Sequence, residues 1–417
     1  MVTYPHDWAT YTFDELFQLY PNNTLSRDKL SEHGTIGNIH YGDVLIKYGA
    51  VLTAKDSIPK IKSAYESAAK SYLQQNDVIV ADTAEDETAG KVVQVGNIPF
   101  PLVSGLHTIV CRPLLPTATG FLGYYMNSKG YHNQLLPYIT GIKVSSISKK
   151  SIRKTVLHIP STVEEQAAIV DAIEKFDTSI ENLSELIEKK KAIRDGSLED
   201  LMSGRTRLMG YSDEWITIPF EKYFTLLKNN SYAREYLSDH GTIGNIHYGD
   251  ILIKYGDVIS DENEIPFLKE NVQFLEKWLL SENDVVIADT AEDETVGKAI
   301  QIGSVSIPLV GGLHTIVCRP NFETAFGFLG YYINSKSYHD QLLPLITGIK
   351  VSSISKKAIK TTELFIPNDT KEQAAIASVL IAMDAEIKNL EEEREKLIQI
   401  REGVMDDLLT GQVRLNV

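Results

Sequence analysis

The residues with the most obvious potential for chemistry are four carboxylates in one short segment, DTAEDET. They are Asp82, Glu85, Asp86 and Glu87, and the same segment returns from Asp289 to Thr295. Clustered carboxylates can bind a divalent cation or serve a nuclease. However, the spacing lacks the alternating ligands and central glycine of a calcium loop, and a nuclease would pair such acids with a lysine on an adjoining strand. A turn capped by its own side chains is the better interpretation, so we predict no metal ligand and no catalytic residue.

Two lysine-rich segments are the second feature with chemical meaning. The net charge of −15 argues against a nucleic-acid partner, because phosphate contacts need lysine and arginine. The basic segments Lys143–Lys154 (KVSSISKKSIRK) and Lys350–Lys360 (KVSSISKKAIK) nevertheless contain no acid. A solvated charge run is the plain alternative, but its return in a second copy favours phosphate binding. The predicted DNA contacts in these segments are Lys143, Ser145, Ser146, Lys149, Lys150, Lys350, Ser352, Ser353, Lys356 and Lys357.

The stretch HGTIGNIHYGD also occurs twice, from His33 and from His240, without a change. Polar side chains on such loops could contact base edges in a DNA groove. The alternative is a glycine turn that leads into a buried strand, with its histidines simply hydrogen-bonded. His107 and His314, at strand starts, are likewise either edge histidines or base contacts. The predicted members of the base-reading surface are His33, Asn38, His40, Lys47, Tyr48, His240, Asn245, His247, Lys254 and Tyr255.

These repeated segments belong to a duplication of the entire chain. An offset of 207 positions relates Trp8 to Trp215, Cys111 to Cys318 and Gly204 to Gly411. Each copy has about 200 residues, enough for its own core, and the composition (43% hydrophobic, 23% charged) is that of a globular protein. The two cysteines occupy equivalent strands, so we expect them not to form a disulfide.

Each copy combines a compact part with a long helix. Runs such as DVLI (43–46), DVIVA (77–81) and HTIVC (107–111) read as short strands, and 119–136 reads as a helix. From 162 to about 202 the apolar residues follow a heptad spacing, which predicts a coiled coil. The domains predicted are 1–161 and 207–368, α/β or α+β in class, alternating with helical spacers at 162–206 and 369–417.

If the two helices pack antiparallel, the duplicated chain acquires a pseudo-two-fold axis. Duplex DNA has local two-fold axes as well, so two like domains would meet two inverted half-sites separated by a gap. This hypothesis predicts a split, nearly palindromic target in double-stranded DNA.

Several segments resemble the specificity subunit of type I restriction-modification systems, and the resemblance covers essentially the whole chain. The segments that carry it are WATYTFDELF (8–17), NDVIVADTAEDETAGK (76–91), TGIKVSSISKKSIRKTVLHIP (140–160) and VEEQAAIVDAIEKFD (163–177). The resemblance implies a non-catalytic subunit with two target recognition domains and two helical spacers. Two methyltransferase subunits would dock on it, and a helicase-nuclease restriction subunit could join them.

The chain departs from that family in one respect, because its two recognition domains are close copies. Similar half-sites are therefore expected, although the drift between 52–75 and 259–282 leaves room for a difference at one position. No cofactor is expected, since the sequence has neither a GxxxxGK[ST] phosphate loop nor an Asn-Pro-Pro-aromatic methyltransferase motif.

Two other classes of protein remain open. A coiled-coil scaffold would explain the helices but not the lysines, and a stand-alone DNA-binding regulator would give no use for acidic, partner-sized helix faces. No apolar run approaches the roughly 20 residues of a membrane helix, and no signal sequence is evident, so a cytoplasmic protein without a membrane partner is expected.

Overall fold

The computed structural model describes residues 4–86, 88–141, 143–293, 295–348 and 350–415, and it divides into two compact units. Unit 1 comprises Met1–Ser184 and Glu393–Val417, and unit 2 comprises Glu185–Glu392. Each unit therefore contains one globular part and segments of both long helices. The boundaries predicted after residues 161, 206 and 368 separate recognition domains from helical spacers. They remain a prediction.

Unit 1 is built from short strands and helices followed by one long helix. Its strands are β1 (Ala9–Thr12), β2 (Phe17–Tyr20), β3 (Leu30–Ser31), β4 (Gly37–Ile39), β5 (Val51–Leu52), β6 (Lys60–Ile61), β7 (Val78–Ala81), β8 (Thr83–Ala84), β9 (Val92–Val95), β10 (Leu102–Ser104), β11 (Thr108–Pro113), β12 (Ser145–Ser146) and β13 (Val156–Ile159). Its α-helices are α1 (Phe13–Leu16), α2 (Tyr41–Ile46), α3 (Phe121–Asn127), α4 (Lys129–Leu135), α5 (Lys149–Ile152) and α6 (Val163–Met202), of which the last continues into unit 2.

Unit 2 repeats these elements in the same order. Its strands are β14 (Ile216–Pro219), β15 (Phe224–Leu227), β16 (Leu237–Ser238), β17 (Gly244–Ile246), β18 (Val258–Ile259), β19 (Phe267–Leu268), β20 (Val285–Ala288), β21 (Thr290–Ala291), β22 (Ala299–Ile302), β23 (Leu309–Gly311), β24 (Thr315–Pro320), β25 (Ser352–Ser353) and β26 (Glu363–Ile366). Its α-helices are α7 (Phe220–Tyr223), α8 (Tyr248–Ile253), α9 (Phe328–Asn334), α10 (Lys336–Leu342), α11 (Lys356–Ile359) and α12 (Thr370–Thr410).

The centre of unit 1 is a mixed five-stranded sheet in the order β2-β11-β7-β9-β5. Its middle strand β7 pairs antiparallel with two neighbours, so that Ile79 lies opposite Val110 on one side and Val93 on the other. All four residues of β7 are buried, which explains why the run VIVA is continuously apolar instead of alternating. A four-stranded sheet (β10-β4-β6-β3) and two strand pairs, β1-β13 and β12-β8, complete the globular part.

Two local predictions need correction. The run DVLI was expected to be a strand, but Asp43–Ile46 lies in helix α2, because His40 caps that helix by accepting a hydrogen bond from the Gly42 amide. The single helix expected at 119–136 is two helices, α3 and α4. Ser128 has an extended backbone between them and caps α4 by accepting from the Tyr131 amide at 3.3 Å.

The long helices confirm the prediction for 162–202, and their apolar seam is covered within each unit. In unit 1, Ile169 and Ile173 of α6 share a core with Leu408 of α12; in unit 2, Leu198 of α6 shares a core with Leu380 of α12. Repeat-related ion pairs join each helix segment to the other helix or to the residues just after it. They are Asp177–Arg401 and Glu165–Arg414 in unit 1, and Asp384–Arg194 and Glu372–Arg207 in unit 2.

From one ion pair to the next within a unit, the residue number increases along the α6 side and decreases along the α12 side. The helix segments within each unit are therefore antiparallel, as in the predicted coiled coil. Mixed α/β domains in tandem, alternating with long helices, confirm the predicted fold class.

The structure also bears on membrane-spanning helices and on the two cysteines. No helix in the described ranges combines the length and apolar character that crossing a membrane requires. Cys111 and Cys318 are both free and fully buried, and burial raises the pKa of each thiol. Both residues therefore behave as core side chains.

Candidate nucleic-acid interface

The repeated HGTIGNIHYGD stretch begins with an exposed turn and continues into the interior. His33 and His240 are exposed, whereas Asn38 and Asn245 are completely buried in β4 and β17. The Asn38 Oδ1 accepts a hydrogen bond from Asn23 Nδ2 at 2.7 Å, and Asn245 accepts one from Asn230 at 2.8 Å. Burial contradicts the prediction that Asn38 and Asn245 lie on a reading surface; they form an internal amide pair that fixes the preceding loop.

His40 and His247 are also largely buried, at 7% and 6% exposure. Each is the N-cap of the next helix and accepts a hydrogen bond on Nδ1, at 3.2 Å, from the amide of Gly42 or Gly249. Their predicted base-reading role is contradicted by this position. The alternative of a glycine turn leading to a buried strand describes this part of the repeat.

The capping role makes stability depend on pH. Burial, followed by the nearby Arg27 or Arg234 charge, lowers the pKa of His40 and His247. The unfolded chain therefore binds protons more readily, so this contribution is full above about pH 6.5 and is lost as pH falls towards the folded-state pKa. We expect His40→Asn with His247→Asn to reduce the loss of unfolding free energy between pH 7 and pH 5, as measured by urea unfolding.

Asparagine keeps a cap acceptor but does not titrate in this range, which makes it the suitable replacement. The repeat-related His33→Asn with His240→Asn is the matched control, because those side chains are exposed. Equal pH dependence in the wild type and in the cap variant would contradict the assignment.

The last two predicted residues of each repeat, a lysine and a tyrosine, differ in exposure. Tyr48 and Tyr255 are 3% exposed and pack in the cores of their units, so burial contradicts a base contact for them, and it raises the pKa of each phenol. Lys47 and Lys254 are exposed. Lys47 donates to the Ser57 carbonyl, and Lys254 lies 3.5 Å from Glu264, so each of these surface lysines already has a partner within its own unit.

A cluster around His107 was not among the predicted contacts. We call Tyr41, Asp82, Thr83 and His107 the His107 cluster; its repeat is Tyr248, Asp289, Thr290 and His314. The His107 Nδ1 lies 3.3 Å from Thr83 Oγ1 and 3.4 Å from Asp82 Oδ1, and its ring meets Tyr41 edge-on at 5.3 Å. The corresponding distances in unit 2 are 3.3, 3.3 and 5.2 Å.

Both histidines of these clusters have a left-handed backbone, with φ of +56° at His107 and +54° at His314. A non-glycine residue in this region costs about 1–3 kcal/mol, and such strain concentrates at functional sites. Their imidazoles are about half exposed, at 47% and 46%. Strain retained in both copies at an exposed side chain makes the two histidines candidate base contacts.

The basic segments lie directly beside these clusters. β12 pairs antiparallel with β8, so Ser146 lies opposite Thr83 of the His107 cluster; in unit 2, Ser353 lies opposite Thr290. The six lysines predicted to bind phosphate are all exposed, and within the described ranges none of them forms an ion pair with a carboxylate. Uncompensated lysines next to polar groups on a strand pair are suited to a phosphate backbone.

A basic groove accompanies this segment in unit 2. A cavity of about 430 Å³ is lined by Leu226 and Leu227 of β15 and by four lysines. The lysines are Lys228, Lys356, Lys357 and Lys360. Lys356 also donates to Asn229 Oδ1 at 3.4 Å.

The carboxylates of DTAEDET form a turn capped by its own side chains, as predicted. The Asp86 carboxylate accepts hydrogen bonds from Thr88, including its amide at 2.9 Å, and these bonds lower the pKa of Asp86. Glu87 and its repeat Glu294 lie outside the described residues. Among the residues that are described, no group of three or more His, Cys, Asp or Glu side chains is arranged to hold a metal ion.

The chain is similar to known proteins of one family. The family model of the type I restriction modification DNA specificity domain matches residues 5–191 and 228–399. The chain is 21% identical over 439 residues to the putative type I restriction enzyme MjaX specificity subunit of Methanocaldococcus jannaschii, covering 99% of this chain and 95% of that protein. It is 22% identical over 297 residues to the MjaVIII specificity subunit of the same organism, covering 66% of each.

Solved structures show the same fold. The S subunit of a type I restriction-modification system from M. genitalium aligns with a TM-score of 0.52 at 16% identity, covering 98% of this chain and 96% of that one. A chain from a type I system studied for complex assembly and conformational transition aligns with a TM-score of 0.60 at 16% identity, covering 99% and 100%. Because the family model matches both repeats over most of their length, the chain belongs to the family of type I restriction-modification DNA specificity subunits.

Proposed function

We propose that this chain is the non-catalytic subunit that reads a bipartite, nearly palindromic sequence in double-stranded DNA. The observation that carries the proposal is the duplication of the exposed surface. The His107 cluster and its repeat agree within 0.1 Å in each of the three contacts described above, and each lies beside a basic segment. Two similar protein surfaces favour two similar half-sites in the DNA target.

Within each half-site we assign two roles. The exposed lysines of the basic segments, together with the serines of those segments, hold phosphates, while the His107 cluster, His33 and Lys47 face the base edges. In unit 2 the corresponding residues are the His314 cluster, His240 and Lys254. Asn38, His40, Tyr48 and their repeats shape the loop from within.

The proposal also assigns partners. Two methyltransferase subunits dock on the long helices, a restriction subunit joins through them, and the complex works on DNA in the cytoplasm. The family membership supports this, as does the large share of exposed charged residues along α6 and α12. Methyl transfer and cleavage are then performed by the partners.

The decisive experiment is base-resolved detection of methylated DNA in cells that co-express the chain with its cognate methyltransferase. A gapped inverted repeat is the expected result. An asymmetric gapped site would retain the family role and refute like half-sites. Full specific binding by the isolated chain, with no gain from the methyltransferase, would indicate a stand-alone regulator instead.

The proposal assigns the gap between half-sites to the paired helices. Deleting one heptad from each, 180–186 and its repeat 387–393, removes about 10 Å of helix while keeping the seam in phase. We therefore expect the gap to shorten by about three base pairs, at 3.4 Å per base pair, with the half-site bases unchanged. Methylation mapping of this variant measures both; changed bases with a constant gap would contradict the assignment.

A further inference from the structure

One repeat position next to the paired helices differs in charge between the two units. It is Ala50 in unit 1 and Asp257 in unit 2. The backbone is held alike in both: the carbonyl oxygen accepts a hydrogen bond from Gln94 N at 2.9 Å in unit 1 and from Gln301 N at 3.0 Å in unit 2.

A helix glycine also lies against that carbonyl in each unit. A Cβ added at Gly123 would come within 2.2 Å of the Ala50 oxygen, and one at Gly330 within 2.0 Å of the Asp257 oxygen. The two backbones therefore occupy equivalent places, and the units differ there in the side chain alone.

In unit 2 the Asp257 carboxylate fills a polar position. It accepts hydrogen bonds from the Arg194 guanidinium and from Asn334 Nδ2, the latter at 2.6 Å, and its side chain is 11% exposed. Arg194 also binds Asp384 at 2.8 Å and lies over the ring of Tyr331. Unit 2 thus has two cations at this place, Arg194 and the half-buried Lys298, and two carboxylates, those of Asp257 and Asp384.

Unit 1 keeps this framework without the second carboxylate. Arg401 binds Asp177 at 2.9 Å and lies over the ring of Tyr124, as Arg194 does over Tyr331. With alanine at position 50, a cavity of about 530 Å³ opens to solvent. The residues that the inference uses from its lining are Tyr48, Ala50, Lys91, Tyr124, Asn127 and Arg401.

Two polar groups of this cavity are poorly satisfied. Lys91 is half buried and donates to the Leu45 carbonyl at 2.7 Å, but among the described residues no carboxylate pairs with it. The Tyr48 hydroxyl is also buried without a hydrogen-bond partner among the described residues, but so is that of its repeat Tyr255, so this group does not distinguish the two units. Burial lowers the pKa of Lys91, whereas Asp257 partly offsets that lowering at the equivalent Lys298.

The charge balance therefore differs between the units. In unit 1 Arg401 pairs with Asp177, and Lys91 has no carboxylate partner among the described residues, whereas Arg194 of unit 2 binds both Asp257 and Asp384. Neither Asp177 nor Glu174, one turn before it on α6, lines the cavity, and burial raises the pKa of Glu174. A cationic cavity with room for a small ligand remains.

We propose that unit 1 carries a binding site for a small anion, a molecule with a carboxylate or phosphate group, at the place that unit 2 fills with its own Asp257 side chain. Arg401, Asn127 and Lys91 would hold the acidic group, and the rest of the cavity would accept a body of a few carbon atoms. The site is separate from the DNA-reading residues, so it goes beyond the proposed function.

The test is the unfolding temperature of the full chain, measured by calorimetry at pH 7 in sodium acetate and in sodium chloride of equal ionic strength. The unfolding temperature of unit 1 in the wild type should rise with acetate concentration. Where acetate reaches about five times the dissociation constant fitted from that titration, the rise should be about 2–4 °C. Ala50→Asp should abolish this gain, because the new side chain occupies the site. Asp257→Ala should add a comparable gain in unit 2, because it opens a second site.

General salt effects act equally on all variants, so the difference between the wild type and Ala50→Asp isolates the site. Lys91→Met is a second way to remove it, and acetamide replaces acetate as the neutral control. Inorganic phosphate in place of acetate identifies which acidic group is preferred. Equal acetate stabilisation of the wild type, Ala50→Asp and Lys91→Met, or equal stabilisation by acetamide, would overturn the proposal.

Discussion

Replacing the six exposed lysines of the basic segments with glutamine will weaken binding to specific and nonspecific DNA alike, by about a thousandfold at low salt. Each lysine that neutralises a phosphate releases counterions, and each contributes about 0.9 to the slope of log affinity against log salt. Loss of all six should lower the magnitude of that slope by about five. The six are Lys143, Lys149, Lys150, Lys350, Lys356 and Lys357.

The measurement is a fluorescence-anisotropy titration of the methyltransferase complex at several salt concentrations, with a specific and a nonspecific duplex. A graded version is Lys143→Ala with Lys350→Ala, which should remove about two units of slope. Lys129→Gln with Lys336→Gln is the control for the graded variant, because it also removes two positive charges, here from exposed positions on α4 and α10. An unchanged slope in the sixfold variant would refute phosphate binding by the basic segments.

Much of the fold was predictable because it depends on patterns that the sequence states directly. The 207-residue offset predicted two like units, and the heptad spacing predicted the extent of α6 and its antiparallel partner. The basic segments were predicted to bind phosphate, and their exposure is consistent with the high cost of burying a lysine cluster without acids.

The contents of HGTIGNIHYGD could not be predicted in the same way. Its polar composition favours a surface loop, yet Asn38 is buried and its Oδ1 accepts a hydrogen bond from Asn23, which lies 15 residues earlier in the chain. The run DVLI looks like a strand until His40 is recognised as a helix cap. Such pairings depend on tertiary contacts, which a local pattern does not contain.

His107 and His314 were left open as edge histidines or base contacts, and the clusters around them were not predicted, for a related reason. The members of the His107 cluster come from three separate segments, at Tyr41, Asp82–Thr83 and His107, and only the sheet brings them together. One signal was present, because Tyr41 belongs to the repeated stretch and follows a predicted site residue. The positive φ of His107, however, is visible only in the structure.

Arg207→Ala is expected to destabilise unit 2 by about 3 kcal/mol, which lowers its unfolding temperature by about 6–12 °C. Glu372, in the first turn of α12, is 2% exposed and accepts hydrogen bonds from Arg207 Nε at 2.6 Å and Nη2 at 2.8 Å. Without the arginine its carboxylate would keep the Trp215 indole N–H, at 3.3 Å, as its remaining described partner. A buried charge left with one weak donor is costly, and differential scanning calorimetry of the full chain measures that cost.

The size of the effect should depend on the buried charge and not on the loss of arginine itself. Adding Glu372→Gln to an Arg207→Met variant removes both charges, so this double variant should recover a large part of the lost stability. Arg414→Ala is the repeat-matched comparison, because Arg414 binds Glu165 in unit 1 and should lower the stability of that unit instead. If Arg207→Ala costs less than about 1 kcal/mol, or if the double variant is no more stable than Arg207→Met alone, the ion pair does not hold α12 to the segment that follows α6 in unit 2.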